Sequence, residues 1–172
     1  MRYLLDSDTL IAAKNLHYRP DFCQGFWQWV EDGHLADKIY SIDIVYRELI
    51  AGDADDHLHA WSKHIDQNQP NFFLPTKGCL PQWAKLTTWA TSKNYKQGAI
   101  EKFLNPNAAD AWLVAYVLQN TEPFTIVTNE TPSPASLKSI KLPDAAHAFD
   151  VPVMTLYDLL SRHGPGNFNF HP

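Results

Sequence analysis

Cysteine is scarce in this chain. Two residues, Cys23 and Cys79, cannot build a disulfide framework or a four-thiolate zinc site, and both read as packing residues. Long apolar runs are missing: none reaches the ~18 residues that a transmembrane helix needs, so no membrane partner is expected. Glycine numbers only seven in 172 residues, and no Gly-rich phosphate loop is present, which argues against ATP or NAD use. No nucleophile elbow signals Ser-His-Asp catalysis. A basic surplus is absent too. The formal net charge of −5 excludes a uniformly basic nucleic-acid binder but leaves room for a local basic patch. The opening Met1-Arg2-Tyr3-Leu4-Leu5-Asp6 meets an acid after three apolar residues, unlike a secretion signal, so a reducing cytoplasm is the expected compartment.

What is present is apolar and aromatic matter, 45% and 13% of the chain, too much for an intrinsically disordered polypeptide. The length fits one domain with a sizeable core. We expect a single domain over 1–163, with a longer helical insertion or arm at 53–104 and a loose tail at 164–172. Charge is uneven. Between Glu31 and Asp66 lie nine acids and three bases, whereas Lys77 to Lys102 holds five lysines and one acid. The basic stretch includes Lys85, Lys93 and Lys96, interleaved with Trp83, Trp89 and Tyr95. Such a pattern can follow a phosphate backbone and stack bases. It equally describes a helix with a Trp-lined buried face and a solvated lysine face.

Hydrophobic patterning predicts a buried strand at Tyr3-Leu4-Leu5 and a helix over 9–15. A second helix is predicted over 20–32 with Pro20 in its first turn. Ser41 or Asp43 is placed to cap a helix through Ile44, Val45, Leu49 and Ile50 that Gly52 stops. A polar helix over 53–66 precedes a loop at 70–81 with an apolar interruption, Phe72-Phe73-Leu74. Helices follow over 82–93, 100–104 and 108–119. Phe124 to Thr128 is a β-branched strand after Pro123. Residues 131–141 are loop, 143–149 a short helix, 151–155 a strand and 156–163 a closing helix. Strands separated by helices predict an α/β fold of three layers, with a parallel sheet between helices. In such sheets the ligand crevice lies at the carboxyl ends of the strands, here just after Leu5 and just after Val127.

Acids occupy awkward positions at those ends. Asp6 and Asp8 follow the first strand, where they could face the crevice or cap the next helix. Glu48 shares a helix face with Ile44 and Val45, a costly place for a carboxylate unless it snorkels to water or meets a cation. Asp110 precedes Leu113, Val114, Val117 and Leu118, extending an apolar face. It could instead belong to a capping box with Asn107. Glu130 ends the second good strand or is an ordinary loop acid. Like charges ~4 Å apart repel by ~4 kcal/mol at an effective dielectric near ~20, so a cluster of these acids needs a cation or shared protons. All-oxygen ligands favour Mg²⁺ or Mn²⁺, the usual aid to phosphodiester hydrolysis.

Taken together these segments resemble the PIN-domain family of metal-dependent ribonucleases, including toxin ribonucleases of the VapC type. Tyr3 to Ile11 resembles its opening strand, acid and small-hydroxyl turn. Val45-Tyr46-Arg47-Glu48-Leu49 resembles its helix-borne glutamate motif, and Asp110-Ala111-Trp112-Leu113-Val114-Ala115 its third acid. Ile126-Val127-Thr128-Asn129-Glu130 resembles its strand followed by Thr, any residue and an acid. Residues 141–160 resemble the closing helix-strand-helix of a PIN-like subfamily. The resemblance spans 1 to about 163 and implies an endoribonuclease in which Asp6, Glu48 and Asp110 hold Mg²⁺ or Mn²⁺. Glu130 stands where most members have Asp and would act through water. Asp8 stands where Asn or Ser is commoner and adds a charge for a second ion. Ser7, Thr128 and Asn129 would orient water or phosphate, and Lys85, Lys93 and Lys96 would attract RNA. The resemblance also brings in the toxin role of a bacterial toxin–antitoxin pair, with an antitoxin protein or a second copy of the chain as partner.

Two other readings compete. One keeps the fold but makes the chain a catalytically weak or inactive binding or scaffold protein, which the acidic surface and Glu130 favour. The other takes Asp6-Ser7-Asp8-Thr9 as the nucleophile motif of haloacid-dehalogenase-like phosphatases, although its Thr falls one residue early and no loop lysine or late Asp pair completes it. A zinc site at His57, His59 and His64 has the wrong helical spacing, and a solvated helix face is the expected alternative.

Overall fold

The computed structural model describes residues 1–164; the expected loose tail falls, beyond Gly164, outside the described residues. Five short strands form one all-parallel sheet: β1 (Arg2–Leu5), β2 (Ile39–Ile42), β3 (Phe73–Leu74), β4 (Phe124–Val127) and β5 (Val153–Met154). Their order across the sheet is β3-β2-β1-β4-β5. Tyr3, Leu4 and Leu5 are 2%, 0% and 0% exposed. That burial is what a central strand covered on both faces requires, and it explains the unbroken apolar run.

Nine α-helices flank the sheet among the described residues: α1 (Ser7–Ala12), α2 (Gln24–Leu35), α3 (Asp43–Ile50), α4 (His57–Asn68), α5 (Leu80–Ser92), α6 (Gln97–Phe103), α7 (Ala109–Gln119), α8 (Leu142–Ala148) and α9 (Leu156–His163). The architecture is the three-layer α/β arrangement expected. Helices α2, α4 and α9 join through Trp27 against Trp61, with ring centroids 4.9 Å apart, and through Trp29 Nε1, which donates to the His163 carbonyl at 3.1 Å. A second group, α5, α7 and α8, joins through Trp83 stacked on Trp112 and Trp89 against Phe149. No helix is long and apolar enough to cross a membrane among the described residues.

The differences from the sequence expectations have local causes. Ser41 is no helix cap; it lies in β2, buried, and its hydroxyl donates to the Leu5 carbonyl at 2.7 Å. Asp43 starts α3 without capping it, because its carboxylate accepts from the Thr76 backbone and hydroxyl. Helix α2 begins at Gln24, so Pro20 belongs to the preceding turn. The apolar interruption in the 70–81 loop is β3, which adds to β2 in parallel while Phe72 sinks to 0% exposure. Residues 53–104 therefore supply an edge strand and, through Leu58, Ile65, Phe72, Leu86 and Phe103, part of the common core.

Helix α1 runs into a π-turn at Ala13–His17. Helix α9 carries a full capping box, with Thr155 accepting from Asp158 N and Asp158 accepting from Thr155 N.

Candidate functional site

The chain adds β2 and β3 on one side of β1 and then crosses to place β4 on the other. The carboxyl ends of β1 and β4 are therefore the point where the strand order reverses, the place at which α/β sheets bind ligands. Register brings Leu5 opposite Val127, and Asp6 N donates to the Val127 carbonyl at 3.0 Å. Asp6 and Thr128 are therefore neighbours by strand pairing alone. The Thr128 hydroxyl donates to Asp6 Oδ2 at 2.9 Å, and Ser7 lies 3.4 Å from Oδ1. Although Asp6 occupies the N-cap position of α1, its side chain caps nothing. Its carboxylate is 2% exposed, held at the head of a buried strand.

Glu48 and Asp110 come in from α3 and α7. Glu48 Oε1 accepts from Ala109 N at 3.0 Å. It thereby satisfies one of the backbone donors left open at the start of α7. The N-cap residue of that helix is Ala108, which has no side chain to do so. The alternative reading of Asp110, a capping box with Asn107, is not what forms. Asn107 N instead donates to Asn105 Oδ1. The other Glu48 oxygen, Oε2, is buried and lacks any hydrogen-bond partner. Leaving a carboxylate oxygen bare in this way is costly.

Electrostatics ties these acids together. Burial pushes Asp6 up to about 8, and the negative charges of Asp110, Asp8 and Glu48 add to the rise while the Thr128 bond opposes it. Asp110 is raised to about 6, first by burial and then by Glu130 and Glu48, with Lys102 and Lys141 pulling it back. The charges of Asp8, Glu48 and Asp110 thus bear on Asp6, and those of Glu48 and Glu130 on Asp110. A carboxyl that stays protonated near neutrality because it is buried among like charges will exchange that proton for a cation.

Glu130 is differently placed. Its Oε1 accepts from Lys141 Nζ at 2.7 Å and its Oε2 from Leu142 N at 2.9 Å. Both oxygens are occupied in tying β4's end to the start of α8. The sequence marks Lys141 only as a base one residue before an apolar helix start. Its own pKa is raised, chiefly by the bond to Glu130 and also by Asp110 and Asp8. Asn129 Oδ1 accepts from Leu156 N at 3.4 Å, which joins it to α9, and Asp8 and Asn129 are exposed.

Lys85, Lys93 and Lys96 are exposed on α5 and the turn into α6. Between them Trp89 packs on Tyr95 and Phe103, and Trp83 on Trp112. The aromatics of this stretch serve the core, leaving the lysines as the solvated face. Of the three histidines weighed for zinc, His57 and His64 are exposed while His59 is 8% exposed, so the helix face is not solvated throughout.

Among the described residues no three His, Cys, Asp or Glu side chains stand in a ready-made ligand set. The fit to a divalent ion accordingly rests on chemistry. Asp6, Glu48 and Asp110 offer hard oxygen donors, one Glu48 oxygen is buried and unbonded, and two of the acids are pushed toward protonation by burial and one another. A hard cation answers all three conditions.

No curated protein and no solved structure matches this sequence. One family model does, over residues 3–166. With nearly the whole chain covered, the protein belongs to the family described as a domain of unknown function, DUF4411.

Proposed function

We propose that this chain is a PIN-like, Mg²⁺- or Mn²⁺-dependent endoribonuclease. The observation that carries the reading is the buried, unbonded Oε2 of Glu48, whose other oxygen holds Ala109 N beside Asp110 and whose charge also bears on Asp6. Asp6, Glu48 through Oε2, and Asp110 would hold the ion. When bound, the ion supplies activation of water and neutralisation of charge on the phosphate.

The chain's own groups do the rest. Thr128 fixes Asp6 by its hydroxyl, and Glu48 fixes the start of α7 and with it Asp110. Ser7, beside Asp6 Oδ1, is placed to orient water. Lys102 and Lys141 lie within the field of Asp110 and draw phosphate toward an otherwise acidic crevice. Lys85, Lys93 and Lys96 would attract the flanking RNA backbone. Asp8 and Glu130 would tune the site's charge. The resemblance of the four motifs extends the proposal to the toxin of a bacterial toxin–antitoxin pair, acting in the cytoplasm and restrained by an antitoxin protein.

The test is cleavage of single-stranded RNA by the purified chain. Cleavage should require Mg²⁺ or Mn²⁺, stop with a chelator, and fall by at least about 10²-fold in Asp110→Asn. Full activity in that variant would remove Asp110 from the site. A second reading, a non-cleaving RNA-binding protein, is favoured by one fact: Glu130 is already neutralised by Lys141. Metal-independent RNA binding without cleavage would select it.

A further inference from the structure

The acidic crevice contains its own cation. Glu130 has no oxygen to spare, since Lys141 Nζ and Leu142 N occupy both. The Lys141 ammonium meets Glu130 at 2.7 Å, and its positive charge is felt by Asp110 and Asp8 as well. It is 36% exposed against 21% for Glu130, so the pair sits at the crevice rim. Glu130 N donates to the same Thr128 hydroxyl that binds Asp6, so the ion pair sits beside the Asp6 carboxylate at the end of β4. Covalent attachment makes that counter-charge permanent. An ammonium also has three N–H donors, of which the ion pair uses one.

Resting on the metal-site reading above, we propose that Lys141 is the second cation of this centre. It keeps Glu130 out of the ligand set and meets a non-bridging oxygen of the scissile phosphate, so that the chain binds one divalent ion rather than two. Asp6, Glu48 and Asp110 would hold the single ion. Lys141 would supply the charge that a second metal supplies in two-metal phosphodiesterases. Its position is fixed at both ends. Glu130 holds the ammonium, and the same carboxylate grips Leu142 N at the start of α8. A residue placed in this way bears on turnover more than on the affinity for the ion.

The experiment titrates the full chain with Mn²⁺ by calorimetry, with free Mn²⁺ counted in parallel by electron paramagnetic resonance. Wild type and Lys141→Arg should bind one ion per chain. Lys141→Met should bind a second, because Glu130, Asp110 and Asp8 lose their counter-charge; the double variant Lys141→Met with Glu130→Gln should return to one. On single-stranded RNA, kcat should fall about 10²-fold in Lys141→Met, with KM little changed, and recover within about tenfold in Lys141→Arg. Two ions on wild type, or one on Lys141→Met, overturns the proposal while leaving the metal site standing. Wild-type kinetics in Lys141→Met overturns the phosphate contact. No ion on wild type removes this proposal together with the reading beneath it. Circular dichroism accompanies each variant, and Lys141→Gln, which removes the charge but keeps a hydrogen-bond donor for Glu130, carries the same prediction of a second ion where Lys141→Met fails to fold.

Discussion

Glu48 does two jobs with two oxygens, and substitution separates them. Glu48→Gln keeps an amide oxygen for Ala109 N and loses the charge; it should fold normally and lose divalent-ion binding and cleavage. Glu48→Ala loses the bond to α7 as well and should be less stable than Glu48→Gln by about 1 kcal/mol, a difference read from denaturant unfolding. If the two variants are equally stable, the Ala109 bond contributes nothing. Asp110→Asn should abolish cleavage and, with repulsion and burial of charge relieved, raise the melting temperature of the metal-free protein by roughly 3–6 °C. A fall in melting temperature would mean that the charge is structurally required. The sequence showed that Glu48 and Asp110 interrupt apolar helix faces. It could not show that one caps the other's helix, because that bond spans 61 residues of chain. Lys141 escaped notice for a related reason. A lysine before a helix is ordinary until the fold sets it against Glu130 at the end of β4.

At the scale of elements, β1, β4 and the short edge strand β5 were legible, whereas β2 and the other edge strand, β3, were not. β1 and β4 each contribute four buried residues in a row or nearly so, a pattern that composition alone reveals. β2 includes Ser41, whose polar side chain looked like a cap. Its hydroxyl is satisfied by Leu5 on the neighbouring strand, which no local rule predicts. β3 is two residues long, and only pairing with β2 makes it a strand. Helix α7, apolar on nearly every face, is buried from Ala109 to Tyr116 except at Asp110, so an acid there stood out correctly. The closing helix rests on a local device. Thr155→Ala breaks the capping box of α9 and should cost about 1 kcal/mol, lowering the melting temperature by ~2–4 °C without changing ion binding. Loss of ion binding in that variant would tie α9 to the crevice through Asn129, which accepts from Leu156 N.

The whole molecule should behave as a protein strained by its own acids. Asp6 and Asp110 have folded pKa values of about 8 and about 6, above their ordinary 3.8. The folded state then holds protons that the unfolded state has released, so stability falls as pH rises through this window. His163, held below its ordinary 6.5 by burial, opposes the trend beneath that pH. In the metal-free protein the melting temperature should therefore rise as pH drops from 8 to about 6.5, and Asp6→Asn should flatten the slope. Mg²⁺ should stabilise most at the alkaline end, because there it displaces the fewest protons. An unchanged melting temperature across this range would show that Asp6 ionises freely. The net charge of −5 makes RNA capture depend on local lysines. Removing Lys85, Lys93 and Lys96 together should flatten the salt dependence of single-strand binding by about 2 in log–log slope; an unaltered slope would place the RNA on another face.

The central claim is that Asp6, Glu48 and Asp110 share one divalent ion at the carboxyl ends of β1 and β4. Anomalous scattering from a Mn²⁺-soaked crystal tests it most directly. The account predicts a single strong peak within coordination distance of oxygens from those three residues, absent in Asp6→Asn. A peak elsewhere on the molecule, or none in that crevice at saturating Mn²⁺, would contradict it.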